Sequence, residues 1–430
     1  MTQPFPNNFL WGVATSAFQI EGRIENDMTD WERQGRFRTE QYDPVAGDTA
    51  DHWRRWEDDF ELLKQLGVNS YRFSVEWARI EPTPGQFNQR ALDQYSRMID
   101  RLLEKGITPM LTLHHFTHPT WFHERSPWHR SDAPESFMPF VQVVTEKLLD
   151  RVPLVVTINE PLVWLLAAYG EGKFPPGYKD LQLMMVALQR MLEAHRLAYD
   201  HIKSRRADTQ VGIAHNFIVF KRARLNHLFD RHLKPLIHRF YNIMIPEAFQ
   251  TNRLLYQFPL VLAYDEEIEL DNRIDFWGIN YYYRMHVRFR FNLERPFDVM
   301  FIPRSGEGQS DLGWEIYPKG LRKICKWLEF TGKPLYITEN GIAAGDDQLR
   351  AEFLKKHLDS LRKAIDDGYP VRGYYHWSFL DNYEWLEGTR AKFGLYHVDF
   401  ENDYRRSLKP SGALYREYIR DATTEDPAGS

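Results

Sequence analysis

Eight short apolar runs recur along this chain, most of them followed by a stretch of helical period, with no linker between them. That alternation constrains the fold more than any other feature. The runs read Phe9–Ile20, Ser70–Ile80, Thr108–Phe116, Leu154–Glu160, Val211–Phe217, Asp275–Tyr282, Leu335–Asn340 and Gly373–Phe379. They are rich in β-branched and aromatic residues and do not alternate with polar ones, as befits parallel strands covered on both faces. In the intervals, Trp53, Trp56, Phe60, Leu63 and Leu66 repeat at three or four, and Gly67 closes the segment. Leu183, Val186, Met191, Leu192 and Ala198 form a longer segment of the same period, and Phe353, Leu354, Leu358, Leu361 and Ile365 another, ending at Gly368. Strand then helix, eight times, predicts an α/β chain folded as a single-domain (β/α)8 TIM barrel over residues 1–422, with 423–430 a polar, disordered tail. A doubly wound open sheet would carry a Gly-rich phosphate turn after its first strand. Neither G-x-G-x-x-G nor a Walker loop is present.

Composition narrows the function. Across 430 residues, 55 Lys and Arg against 60 Asp and Glu give a net charge of −5, which argues against a nucleic-acid partner. The single cysteine, Cys325, excludes an intramolecular disulfide and a cysteine-rich metal cluster. No apolar run approaches the ~20 residues of a membrane span. The first residues, Met1 to Pro6, show no charged segment leading into an apolar one, and no Asn-X-Ser/Thr sequon occurs, so a cytoplasmic protein is expected. Aromatic residues make up 15% of the chain, which serves a large core and also suits a site that stacks on sugar rings.

In a (β/α)8 barrel the reacting groups gather at the C-terminal ends of the strands. The first run ends near Gln19, and the second carries Arg72. The third ends in His114 and His115, the fourth in Asn159 and Glu160, and the sixth in Asn280, Tyr281 and Tyr282. The seventh ends in Glu339 and Asn340, and the eighth in Trp377, followed by Asp381 to Trp385. Glu160 and Glu339 each close an apolar strand ahead of a turn signal, Pro161 and Asn340-Gly341. Partial burial shifts a carboxyl pKa, and two carboxyls across one mouth are pushed apart. One then serves as acid and the other as nucleophile or base, the arrangement glycoside hydrolysis needs.

Four segments make a resemblance specific. Phe9 to Gly22, Thr157-Ile158-Asn159-Glu160-Pro161, Ile337-Thr338-Glu339-Asn340-Gly341 and Trp377 to Trp385 resemble, in order and spacing, the signatures of glycoside hydrolase family one, the retaining β-glucosidase family. The likeness runs from about residue 8 to residue 417. It implies a retaining exo-β-glycosidase acting on terminal β-D-glucosyl residues, and on β-D-galactosyl and β-D-fucosyl residues, of disaccharides and aryl glycosides. It implies no cofactor and no metal. Glu160 is then the acid/base and Glu339 the nucleophile, with carboxyls about 5–5.5 Å apart. Arg72 and Tyr282, with Asn280, support the nucleophile, Arg72 by lowering its pKa. Asn159 takes the sugar 2-hydroxyl, Gln19, His115, Glu384 and Trp385 the other hydroxyls, and Trp377 lies under the ring. Trp314 matches an aglycone-side tryptophan and Phe393 a position lining the glycone pocket. Glu384 argues against a phospho-β-glycosidase, because it would repel phosphate, and Lys392 nearby is read as structural. The intact Glu pair argues against a non-catalytic carbohydrate receptor on the same barrel.

Other features carry less. His114, His115, His118, His123 and His129 cluster in sequence, but neighbouring strand residues face opposite ways, so only His115 is read as a ligand-binding residue. Nine Lys and Arg against two acids in 201–240 read as a solvated face, answered by six acids in 265–275. Residues 218–262 depart most from the family pattern and are expected to lie between the fifth and sixth strands, where they could shape aglycone choice.

Overall fold

Eight parallel strands close on themselves. In the computed structural model, which describes residues 5–37, 46–125, 127–259, 261–290, 297–300 and 308–424, they are β1 (Leu10–Ala14), β2 (Ser70–Ser74), β3 (Thr108–His114), β4 (Leu154–Asn159), β5 (Gln210–Arg222), β8 (Phe276–Phe289), β10 (Leu335–Asn340) and β11 (Val371–Trp377). Hairpins account for the remaining strands of the described residues. These are β6 (Arg253–Phe258) with β7 (Leu262–Glu267), β9 (Phe297–Met300) against β8, and β12 (Tyr396–Asp399) with β13 (Arg405–Leu408). The sheet order is β10-β11-β1-β2-β3-β4-β5-β8, and β8 pairs back to β10, which closes the predicted (β/α)8 barrel.

The strands are buried on both sides, and alternate residues separate into two environments. In β4, Leu154 and Val156 join Ala14, Met110, Ala214, Phe276, Tyr336 and Tyr375 in the barrel interior. Val155 and Ile158 instead pack outward under the helices. The interior is filled rather than hollow, as small barrels require. Gly12 shows the fit: a Cβ there would lie 2.4 Å from the Tyr375 ring and 2.9 Å from the Ser70 carbonyl.

The helices follow the predicted periods. The His52–Leu66 helix buries Phe60, Leu63 and Leu66, and Gly67 ends it in the left-handed region at φ 80°. The Leu181–Arg205 helix buries Met191, Leu192 and Ala198 but leaves Leu183 and Val186 half-buried, with Met184, Met185, Ala187 and Leu188 facing the core; the Asp347–Asp366 helix buries Phe353, Leu354, Leu358 and Leu361 and leaves Ile365 half-buried. Among the described residues no helix is long and apolar enough to cross a membrane.

Several expected boundaries move. β1 stops at Ala14, and Gln19 is carried by a helical turn, Ala17–Ile20, not by the strand end. The turn starts there because Ser74 Oγ takes the Ala17 N–H at 2.7 Å, drawing the chain off the sheet. β2 likewise stops at Ser74, ahead of a helical turn at Trp77–Ile80. β5 runs on to Arg222, because β8 continues beside it through Val287, so the first residues of the divergent 218–262 segment are strand. The rest of that segment forms the Leu228–His238 helix, a π-helical turn at Arg239–Ile243, the Met244–Thr251 helix and most of the β6–β7 hairpin. The last helix, Pro410–Thr424, includes residues 423 and 424 of the expected tail, and 425–430 lie outside the described residues.

Gly12→Val forces the Tyr375 ring or the β1–β2 register to shift. It is expected to cost about 1–3 kcal/mol and to lower the thermal unfolding midpoint by several degrees. An unchanged midpoint contradicts the packing of Tyr375 against β1.

Candidate active site

The C-terminal ends of the strands surround a cavity of about 620 Å³. Gln19, His115, Asn159, Glu160, Tyr282, Trp314, Glu339, Trp377, Glu384 and Trp385 line it, all of them singled out by the sequence. Arg72 and Asn280 lie beneath, buried and bonded to the lining groups. Phe393 departs from expectation. It is fully buried and does not line the cavity. Its ring packs 6.1 Å from Tyr282 and 6.0 Å from Trp314, because the chain turns inward beside them.

Glu339 ends β10 in a cationic niche. Arg72 donates to Oε1 at 2.6 Å and Tyr282 to Oε2 at 2.5 Å. The remaining Arg72 donors go to Thr112 Oγ1, the Thr338 carbonyl and Asn159 Oδ1. Gly341 follows two residues later for a steric reason: a Cβ there would stand 1.6 Å from the Trp377 carbonyl oxygen. The expected lowering of the Glu339 pKa is offset. Complete burial raises it above the ordinary carboxyl range, and Arg72 and then Tyr282 draw it back.

Glu160 has a different environment. Pro161 disfavours the right-handed helical conformation at the residue before it. Glu160 takes neither that conformation nor the extended one a following proline favours; it sits at φ 45°, ψ 58°, a strained setting for a side-chain-bearing residue that costs about 1–3 kcal/mol. This geometry turns the chain from β4 into the Pro161–Leu165 helix and leaves the carboxyl at the cavity. Two amides donate to its Oε1, Asn280 at 2.8 Å and Asn216 at 3.1 Å, and no cation bonds to it. Burial, then the charge of Glu339, push its pKa up to about 8. An oxygen already accepting two N–H bonds is a poor seat for a proton, so the proton resides on Oε2.

Asn216, next to last in the Val211–Phe217 run, also lines the cavity and is not among the expected site residues; β5 itself continues past it to Arg222. It stands opposite Asn280 in the β5–β8 register, which brings both amides to one carboxyl. Phe116, Phe174 and Tyr283 also line the cavity and were missed. As aromatic residues they gave no signal distinguishing them from core.

The polar wall is closely interlinked. Asn159 Oδ1 accepts from Arg72 at 2.6 Å and from Asn280 at 3.1 Å, so its N–H faces His115 Nε2 at 3.2 Å. His115 must then carry its proton on Nδ1, which is buried and has no protein partner. Gln19 donates to Glu384 at 3.0 Å and accepts from Ser16 at 2.7 Å. The Trp377 indole also bonds Glu384, whose pKa is pushed up to about 8 by burial and then by the charge of Glu339. The His115 ring lies 17° from the plane of Trp377 and 14° from that of Trp385. Trp314 packs against Tyr283 at 4.7 Å.

The other histidines belong elsewhere. His114 faces away from the cavity and meets His118 at 2.8 Å, and His118 bonds Asp27 at 2.9 Å. Among the described residues no three His, Cys, Asp or Glu side chains converge as metal ligands. Lys392 is not in the cavity lining, and its ammonium stands 4.6 Å over the Phe400 ring.

Comparison with known proteins places this geometry. The model for Glycosyl hydrolase family 1 matches residues 1–424. Beta-glucosidase A of Thermotoga maritima is 35% identical, covering 98% of this chain and 99% of its own length. A bifunctional beta-D-glucosidase/beta-D-fucosidase of Bifidobacterium breve is 32% identical, with 98% and 99% covered. Among solved structures, a beta-glycosidase from Pyrococcus horikoshii superposes with a TM-score of 0.89 at 37% identity, over 98% of this chain and 96% of that one.

The raised pKa of Glu384 makes a stability prediction. The folded protein holds that proton up to about pH 8 while the unfolded chain releases it near the ordinary value of 4.5. Between those values the folded state binds more protons, so stability falls as pH rises. Glu384→Gln keeps an acceptor for Gln19 and abolishes the titration. Its melting midpoint is expected to match wild type near pH 4.5 and to exceed it by a few degrees at pH 8. Equal midpoints at both values contradict a buried, proton-retaining Glu384.

Proposed function

The chain belongs to glycosyl hydrolase family 1, and on that footing we propose that Glu160 and Glu339 cleave terminal β-D-glucosyl residues by double displacement. The same pocket is proposed to accept β-D-galactosyl and β-D-fucosyl residues. The observation that carries the assignment is the unequal setting of two buried carboxyls. Glu339 is bonded by a guanidinium and a phenol, which favour its anion, whereas Glu160 has amides alone.

In the first step Glu339 attacks the anomeric carbon as the glycosidic C–O bond breaks. The Glu160 proton passes to the departing oxygen, and the alcohol leaves. The sugar is then an ester of Glu339, and Glu160 is a carboxylate. In the second step Glu160 takes a proton from water, the resulting hydroxyl bonds to the anomeric carbon, and Glu339 leaves as its anion. Two inversions give net retention. Asn159, held by Arg72 and Asn280, is proposed to bond the 2-hydroxyl, where contacts strengthen in an oxocarbenium-like transition state. Gln19, His115, Glu384 and Trp385 are assigned to the other hydroxyls, Trp377 to the ring face and Trp314 to the aglycone.

Lys392, turned to Phe400 and away from the cavity, counts against a 6-phosphorylated substrate; Glu384, which keeps its proton up to about pH 8, does not repel one by charge at neutral pH. The paired Glu160 and Glu339 count against a purely binding role. A cytoplasmic setting is proposed from the sequence alone, whose one cysteine, Cys325, leaves no intramolecular disulfide to form.

The test uses p-nitrophenyl β-D-glucopyranoside. Glu339→Gly is expected to lose activity by several orders of magnitude and to regain turnover with azide as α-glucosyl azide. Azide rescue giving the β anomer, or an active variant, contradicts the assignment. For wild type, kcat/KM is expected to fall as pH rises through about 8, where Glu160 ionises. Replacing Glu160 by Ala should abolish that alkaline limb, and a limb that survives points to another acid.

A further inference from the structure

Each of the two amides that hold Glu160 is itself held by a hydroxyl. Thr338 Oγ1 donates to Asn280 Oδ1 at 2.7 Å, which directs the Asn280 N–H groups to Glu160 and Asn159. Tyr241 Oη donates to Asn216 Oδ1 at 2.9 Å and so directs the Asn216 N–H to Glu160. The two ends of an amide are alike in shape, and only such a donor distinguishes them. Thr338 lies on β10, within the barrel. Tyr241 comes from outside it, from the π-helical turn Arg239–Ile243 in the segment that departs from the family pattern.

That turn is fastened to β5 on both sides of Asn216. His215 Nε2 donates to the Tyr241 carbonyl at 2.7 Å. The Asn242 side chain accepts from the Ile218 N–H at 2.9 Å and donates to the Ile218 carbonyl at 3.0 Å. Tyr241 is only 7% exposed, with its ring against Phe220 and His215. A π-turn shifts the residues after it around the helix, and such turns are frequent at functional sites. Here the turn brings a phenol to the back of the site.

We propose that Tyr241 is a positioning residue for the acid/base: through Asn216 it fixes the Glu160 carboxyl so that Oε2 carries the proton to the glycosidic oxygen. The inference rests on the reading of Glu160 as acid/base. The titratable groups that interact with Glu160 are Glu339, Arg72, Glu384, Tyr282, Tyr283 and Tyr241. Removing the Tyr241 hydroxyl changes none of their formal charges at neutral pH. It frees Asn216 to turn over and present Oδ1 to Glu160. A carbonyl oxygen accepts only from the protonated carboxyl, and the carboxylate loses a donor, so both effects make Glu160 hold its proton more tightly.

Tyr241→Phe keeps the ring and removes the hydroxyl. The measurement is kcat/KM against pH for phenyl β-D-glucoside, whose leaving group needs protonation, and for the 2,4-dinitrophenyl glucoside, whose leaving group does not. The alkaline limb is expected to move up by about half a pH unit or more. At neutral pH the phenyl substrate should lose about tenfold, and the dinitrophenyl substrate much less. Equal losses on both substrates with an unmoved limb are what a merely structural tyrosine gives, and they overturn the proposal. Asn216→Ala should reproduce the shift, and the double variant should add nothing; additive losses also overturn it, and should Tyr241→Phe fold poorly, an unmoved limb in Asn216→Ala overturns it alone. Glu160→Ala run in parallel separates the two readings. If azide yields β-glucosyl azide while Tyr241→Phe leaves the limb in place, the relay fails and the acid/base assignment survives. If azide yields none, the acid/base assignment fails and takes the relay with it.

Discussion

A single buried cation organises this site. Arg72 is almost fully enclosed, and its guanidinium reaches Thr112 on β3, Asn159 on β4, and Thr338 and Glu339 on β10. A buried charge left unpaired costs several kcal/mol, so these four partners are a condition for placing Arg72 there at all. In meeting it the barrel ties strands on opposite sides of its axis at one level. The groups so tied are the proposed nucleophile and the residue proposed to hold the 2-hydroxyl. Three buried carboxyls, Glu160, Glu339 and Glu384, line the cavity, with Arg72 beneath them. Burial raises all three pKa values, and the charge of Glu339 adds to the rise at Glu160 and Glu384, while Arg72 draws Glu339 back.

Most of this was legible in the sequence because barrel geometry converts strand ends into a site. Glu160 and Glu339 stand at the ends of apolar strands ahead of turn residues, and both line the cavity. What the sequence obscured has identifiable physical causes. The run from Phe9 to Ile20 is apolar throughout, so nothing in its pattern marks the side-chain bond from Ser74 that converts its second half to helix. The length of β5 depends on β8 continuing beside it, a non-local pairing that local pattern does not contain. Phe393 sits in a Lys-Phe-Gly triplet that resembles a pocket-lining position, yet its ring packs against Tyr282 and Trp314 and does not line the cavity. Asn216 was visible next to last in its apolar run. What was not visible was its alignment with Asn280, which needs the register of β5 on β8. Tyr241 was the least legible of all, since its contact depends on a π-turn in a segment without a recognisable pattern.

The division of labour proposed for the two carboxyls, Glu160 as acid/base and Glu339 as nucleophile, fits the kind of donor each receives. Glu339 is to be an anion before the first step and again after the second, so a guanidinium and a phenol, which favour the anion, suit it. Glu160 must be neutral in the first step and charged in the second. A cation bonded to it would favour the charged form too strongly for it to act as an acid, and an apolar wall would favour the neutral form too strongly for it to act as a base. Amide N–H groups lie between these limits: they are compatible with the neutral carboxyl on Oε1 and stabilise the carboxylate when it forms. Such donors serve only if they face the right way, because an amide turned over becomes an acceptor and favours the wrong protonation state. The hydroxyls of Thr338 and Tyr241 are therefore as much a part of the acid's environment as the amides they orient, although neither touches it.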